Sequence, residues 1–260
     1  MNILTIASAK GGVGKTTLTE NLAVALAPRL GRTVLAVDLD PQNSLGLHFG
    51  MDPMEWGGLS RASLSGQDWH ELCFERQPGL YVLPFGVLSE NDRERLEAEI
   101  AADPHWLQDH LRALKLPEDA LVLLDTPPGP SVYGRQALSL THWLVVVTLA
   151  DAASYATAPL MQRLVHSYCL PRADFRGVFH VLNQVDLSRT LSADMLRVVQ
   201  AEAGKSFAGA IHMDQAIPDA LGLGMYVLNH APHSLAAHDL GSCADFLSAQ
   251  IRAASATPST

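Results

Sequence analysis

Along this chain, short apolar runs closed by turn residues alternate with longer segments of helical period. That alternation marks a mostly parallel, twisted sheet with helices on both faces. The apolar runs predict strands at residues 2–8, 33–38, 80–84, 120–125, 143–149, 177–182 and 208–212. The 3.6-residue period predicts helices at 16–30, 90–101, 105–114, 131–139, 153–168, 192–203 and 236–253. Alternating in this way, seven to eight strands make an α/β protein. No composition break and no internal repeat divides it, so residues 1–253 are expected to form one domain and 254–260, ASATPST, a frayed tail of small and polar residues.

The longest apolar stretch, WLVVVTLA from Trp143 to Ala150, is far shorter than the ~20 residues that cross a bilayer and reads as a buried strand. The N-terminal MNILTIASAKGG lacks a basic region before its apolar run and a cleavage site after it, so a cytoplasmic location is expected. Cys73, Cys169 and Cys243 lie far apart and form neither a disulfide framework nor a zinc pattern. Eighteen Lys and Arg against 27 Asp and Glu give a net charge of -9, which disfavours contact with nucleic acid or an anionic membrane.

The chemistry concentrates at Ala9-Lys10-Gly11-Gly12-Val13-Gly14-Lys15-Thr16-Thr17, between the first strand and the first helix. Glycines there allow successive N–H groups to face a phosphate, and the helix N-terminus adds partial positive charge. Such a loop predicts that Gly11, Gly12, Val13, Gly14, Lys15, Thr16 and Thr17 bind nucleotide, with Lys15 on the β- and γ-phosphates and the Thr16 hydroxyl on Mg²⁺. Ala9 stands where the generic pattern has its first glycine, and Lys10 adds a second lysine. Carboxylates end two apolar strands: Asp38-Leu39-Asp40-Pro41-Gln42 and Asp125-Thr126-Pro127-Pro128-Gly129. The C-terminal ends of strands are where open α/β sheets place ligand-binding groups. Asp38 and Asp40 share a strand face, unless a turn after Val37 separates them.

KGGVGKTT, with the two aspartate segments, resembles the deviant Walker A ATPases of the MinD/ParA family over most of the chain. The resemblance implies a P-loop NTPase fold with ATP sandwiched between two subunits. Lys10 would cross to the partner's phosphates, and Asp40 would orient the attacking water. Asp125 would reach Mg²⁺, with Asp38 supporting the metal shell, and hydrolysis would be slow, serving a molecular switch. Asn183, in Asn183-Gln184-Val185-Asp186, and Pro218, in Ile217-Pro218-Asp219, would contact adenine. Asp186 leaves a guanine-reading alternative open.

Two further stretches, Leu64-Ser65-Gly66-Gln67-Asp68-Trp69 and Leu83-Pro84-Phe85-Gly86, are similar to the BcsQ branch of that family, which serves bacterial cellulose synthesis and secretion. This likeness implies a regulatory or assembly ATPase working with a small BcsR-like protein and synthase components, recruited through partners to the inner membrane or cell pole. A partner surface is expected in the Trp56–Trp69 region, though Trp69 and Phe85 can also be core aromatics. The alternatives are a partition or positioning ATPase acting on DNA or membrane, and a metabolic enzyme on the same scaffold. Asp245 to Ala254 carries Arg252 as its one base, which argues against a membrane-lying terminal helix.

Overall fold

The computed structural model describes residues 1–255; the expected frayed tail lies, apart from its first two residues, outside the described residues. Eight strands form one sheet: β1 (Asn2–Ala7), β2 (Val34–Asp38), β3 (Phe74–Gln77), β4 (Leu80–Leu83), β5 (Leu121–Asp125), β6 (Trp143–Leu149), β7 (Gly177–Val185) and β8 (Phe207–His212). Their order is β3-β4-β2-β5-β1-β6-β7-β8, and every pair is parallel except β3 with β4. The helices are α1 (Lys15–Leu30), α2 (Ser44–His48), α3 (Leu59–Ser65), α4 (Glu90–Ala102), α5 (Trp106–Ala113), α6 (Val132–Leu138), α7 (Ala152–Tyr155), α8 (Ala158–Tyr168), α9 (Thr190–Ala203), α10 (Ala216–Gly222), α11 (Val227–His230) and α12 (Leu235–Ser255).

Because the central strands are covered on both faces, they are apolar at nearly every position, and the two-residue period sorts them between two cores. Leu4, Ile6, Val34, Ala36, Leu121 and Leu123 pack on the side of α1 and α12. Ile3, Leu35, Val37, Val122 and Leu124 pack on the opposite side with residues of α4, α5 and α6. Continuing the first set by two residues brings Asp38 and Asp125 onto the α1 side, as Cα partners in the β2–β5 register. The sheet therefore carries both carboxylates toward the helix that follows the glycine loop.

The expected strands and long helices are present, with small shifts at their ends. The expected helix at 153–168 is instead two, because Asp151 caps α7 by accepting from the Ser154 N–H at 2.7 Å and Pro159, without an N–H, opens α8. The strand expected at 177–182 runs on to Val185, which puts Asn183 within β7. Edge strand β3, FERQ, and the short α2, α3, α10 and α11 have no counterpart in the apolar pattern.

Candidate nucleotide site

The glycine loop joins β1 to α1 at the sheet centre, where β1 has β5 on one side and β6 on the other. Its base is fixed by two bonds: the Ser8 hydroxyl donates to the Lys10 carbonyl at 2.7 Å, and the Gly129 N–H donates to the Ser8 carbonyl at 2.8 Å. Gly14 sits at a φ of 85°, in the left-handed region, and a Cβ there would lie 2.4 Å from the Asn183 amide nitrogen. Only glycine meets both demands. The same Asn183 amide donates to the Val13 carbonyl at 2.8 Å, so the end of β7 holds the loop in its curve.

Lys15 begins α1 and is 6% exposed. Burial lowers its pKa, opposed by the nearby Asp125 and Asp40 carboxylates. Asp125, 1% exposed, accepts from the Thr16 hydroxyl at 2.6 Å and from the Thr19 hydroxyl at 3.3 Å. Burial still pushes its carboxyl up to about 6, against the help of Thr16 and Lys15. Asp38 is fully buried and raised well above the ordinary carboxylate range, by burial first and then by Asp125 beside it. Thr19 carries no motif signal, but three residues after Thr16 it shares the same helix face.

β2 ends at Asp38, so the chain has left the strand before Asp40. Both Asp38 oxygens serve the loop backbone, one accepting from the Asp40 N–H and the other from the Leu45 N–H, each at 2.9 Å. Asp38 thus clamps the loop that carries Asp40. Asp40 is half-buried and accepts from the Gln42 N–H at 3.0 Å, and Lys10 is exposed.

A cleft of about 350 Å³ beside the loop is lined by Gly14, Thr17, Asn183 and Pro218, with Ile211 and Ile217 among its apolar walls. The two residues expected at adenine thus meet in one place. Asp186 is turned away: it accepts from the Ser188 N–H at 3.0 Å and from the Ser188 hydroxyl at 2.6 Å, and it lines a different hollow with Arg189 and Leu191. Asp186 is thus engaged with its own loop and is not among the residues that line the cleft beside the glycine loop. Trp69 and Phe85 are core residues, Trp69 stacked on His110 at 4.4 Å and Phe85 edge-on to Tyr133 at 5.4 Å, whereas Trp56 is 56% exposed.

The donor set suits a nucleotide with a divalent cation. Two buried carboxylates side by side, both hard to ionise, are a place where added positive charge is favourable. A buried lysine in the first turn of a helix favours added negative charge. Thr16, Asp125 and Lys15 are the groups that would hold them.

A profile described as "Cellulose biosynthesis protein BcsQ" matches residues 1–247. The chain is 29% identical over 254 residues to the cellulose biosynthesis protein BcsQ of Salmonella typhimurium strain LT2, covering 95% of this chain and 94% of that protein. It is 32% identical over 256 residues to the chromosome-partitioning ATPase Soj of Thermus thermophilus, covering 96% and 97%. Among solved structures, the septum site-determining protein MinD of Pyrococcus horikoshii, complexed with Mg-ADP, is similar with a TM-score of 0.73 at 25% identity over 95% of each chain. With its glycine loop, paired strand-end aspartates and eight-stranded sheet, the chain belongs to the BcsQ family of cellulose biosynthesis proteins, related to the MinD, ParA and Soj ATPases.

Proposed function

We propose that this protein is an ATP-dependent switch of the bacterial cellulose synthesis and secretion machinery, closing as a dimer around two nucleotides. The observation that carries this reading is the unequal burial of the two loop lysines. Lys15 is enclosed beside Asp125, while Lys10 stands exposed on the same loop, where it would reach another chain. In this reading Gly11, Gly12, Val13 and Gly14 present their N–H groups to the phosphates, with Lys15 against the β- and γ-phosphates and Thr17 beside them. Thr16 and Asp125 hold Mg²⁺, whose charge neutralises the phosphates. Asp38 supports this shell at one remove, by fixing the loop that brings Asp40 to the attacking water. Asn183 and Pro218 border the adenine.

Phosphoryl transfer needs positioning and charge neutralisation more than covalent chemistry, so this small set suffices for slow hydrolysis. Lys10 gains its phosphate contact only on closure, which ties nucleotide state to assembly. The closed dimer presents a surface to a small BcsR-like protein and to synthase components at the cytoplasmic side of the inner membrane. The kinship with Soj favours a second reading, a partition or positioning ATPase acting on DNA or membrane, which the net charge of -9 opposes.

Lys10→Ala tests the main reading. Light scattering with Mg-ATP should show the parent protein as a dimer and the variant as a monomer that still binds nucleotide. Unchanged dimerisation of the variant would contradict a role for Lys10 across the interface.

A further inference from the structure

Asn43 follows the Asp40 loop at the N-cap position of α2, where an asparagine side chain ordinarily caps its own helix. Here it makes no capping bond. Its backbone is held at a φ of 50°, in the left-handed region, and its N–H donates to the Asp40 carbonyl at 2.9 Å. The buried side-chain oxygen instead accepts from the N–H of Gly86, 43 positions along the chain, at 2.9 Å. A forfeited cap and a left-handed backbone each cost stability, and such costs persist where surrounding structure and function hold them.

Gly86 is the last residue of the Leu83-Pro84-Phe85-Gly86 segment, which the nucleotide chemistry leaves unexplained. It lies at a φ of 87° against Gly58, and a Cβ on Gly58 would come within 2.2 Å of the Gly86 nitrogen. The two segments are laced by backbone bonds: Val87 N–H to the Trp56 carbonyl at 3.1 Å, Leu59 N–H to Pro84 at 2.9 Å and Ser60 N–H to Phe85 at 2.9 Å. Glycine meeting glycine without intervening side chains, under three backbone bonds, makes a stiff joint. Beyond it, Met54 is 75% exposed, with Trp56 and Val87 also open to solvent.

We infer that Asn43 is a positioning residue that carries the state of the Asp40 loop through Gly86 to the exposed apolar loop around Met54 and Trp56. This rests on nucleotide binding at the glycine loop, as read above. Any displacement of Asp40 pulls on Asn43 through one backbone bond, and Asn43 passes it to Gly86 through one side-chain bond. The Leu83–Gly86 segment is then the link between nucleotide and surface, which accounts for its place outside the nucleotide motifs.

Trp56 is the natural reporter, because Trp69, Trp106 and Trp143 are buried. In the full chain, adding Mg-AMPPNP should change the emission and acrylamide quenching of tryptophan, and Trp56→Phe should remove that change. Asn43→Gly tolerates the left-handed backbone and removes the side chain that carries the acceptor. It should bind nucleotide within about twofold of the parent, by calorimetry, yet lose the Trp56 response. Asn43→Asp retains an acceptor of the same length and should keep the response. A full response in Asn43→Gly overturns the inference, as does a silent Trp56 in a parent protein with nucleotide bound. Failure of the parent to bind nucleotide at all overturns the reading of the site, and this one with it.

Discussion

Asp125→Asn tests the electrostatics of the site through stability rather than activity. The folded carboxyl takes up its proton at about 6, against an ordinary value of 3.8, because burial disfavours the charge more than Thr16 and Lys15 favour it. Between those two pH values the folded chain holds a proton that the unfolded chain has released, so stability falls as pH rises through that window. At pH 7 the nucleotide-free protein carries a cost of about 3 kcal/mol from this one ionised carboxylate. Asparagine keeps the shape and drops the charge, and the Thr16 and Thr19 hydroxyls can turn to accept from its amide. The variant should therefore be more stable than the parent by about 2–3 kcal/mol at pH 7, and by about half that at pH 5. In melting temperature the pH 7 gain amounts to about 4–10 °C. Urea unfolding of both proteins without nucleotide, followed by circular dichroism at the two pH values, measures it. Adding Mg²⁺ and ADP should then stabilise the parent more than the variant, closing the gap. A variant less stable than the parent at pH 7, or a gain equal at both pH values, would refute the assignment of Asp125 as a carboxylate held at a cost for a cation.

Asp40→Ala should leave ATP bound and the dimer closed while phosphate release falls by about a hundredfold; release at the parental rate removes Asp40 from the water-positioning role. Gly14→Ala should lower nucleotide affinity by at least about tenfold in calorimetry with the fold intact by circular dichroism. Its Cβ would strike the Asn183 amide at 2.4 Å, on a backbone whose φ of 85° already strains any side chain. Undiminished affinity would mean that Asn183 and the loop adjust freely.

How far the fold could be read from the sequence depended on burial. The central strands stand out because VLAVD and LVLLD are covered on both faces and must be apolar throughout, whereas β3, an edge strand with charged Glu75 and Arg76, carries no such pattern. The break between α7 and α8 was visible in principle at Pro159, but the apolar period runs straight through it. At the site, the glycine loop and the strand-end aspartates were legible as motifs because residue type and spacing repeat together in them. The hydrogen bonds of Asp38 to the backbone N–H groups of its own loop were not legible, since a clamp and a metal partner look alike as an aspartate after an apolar strand. Thr19 and Asn43 were hidden for a related reason. Their partners, Asp125 and Gly86, are brought near only by the sheet order and the chain's return, and nothing local announces them.

The last described helix bears on what the proposed switch would act upon. A helix that lies on a membrane must keep an apolar face free and surround it with bases. In α12 the apolar stripe is spent: Ala236, Ala237, Leu240, Cys243, Ala244, Leu247 and Ile251 are all buried in the core that α1 and the sheet share. The base expected near its end is engaged too, with Arg252 donating to the Arg29 carbonyl, while Arg29 pairs with Asp245 at 2.7 Å. Releasing the helix to a bilayer would uncover seven buried side chains at a cost of several kcal/mol, with no cluster of lysines to draw it there. The switch proposed above would act instead through the segments around the Asp40 loop. There exposed apolar side chains already stand at the surface, and no core residue has to leave its place.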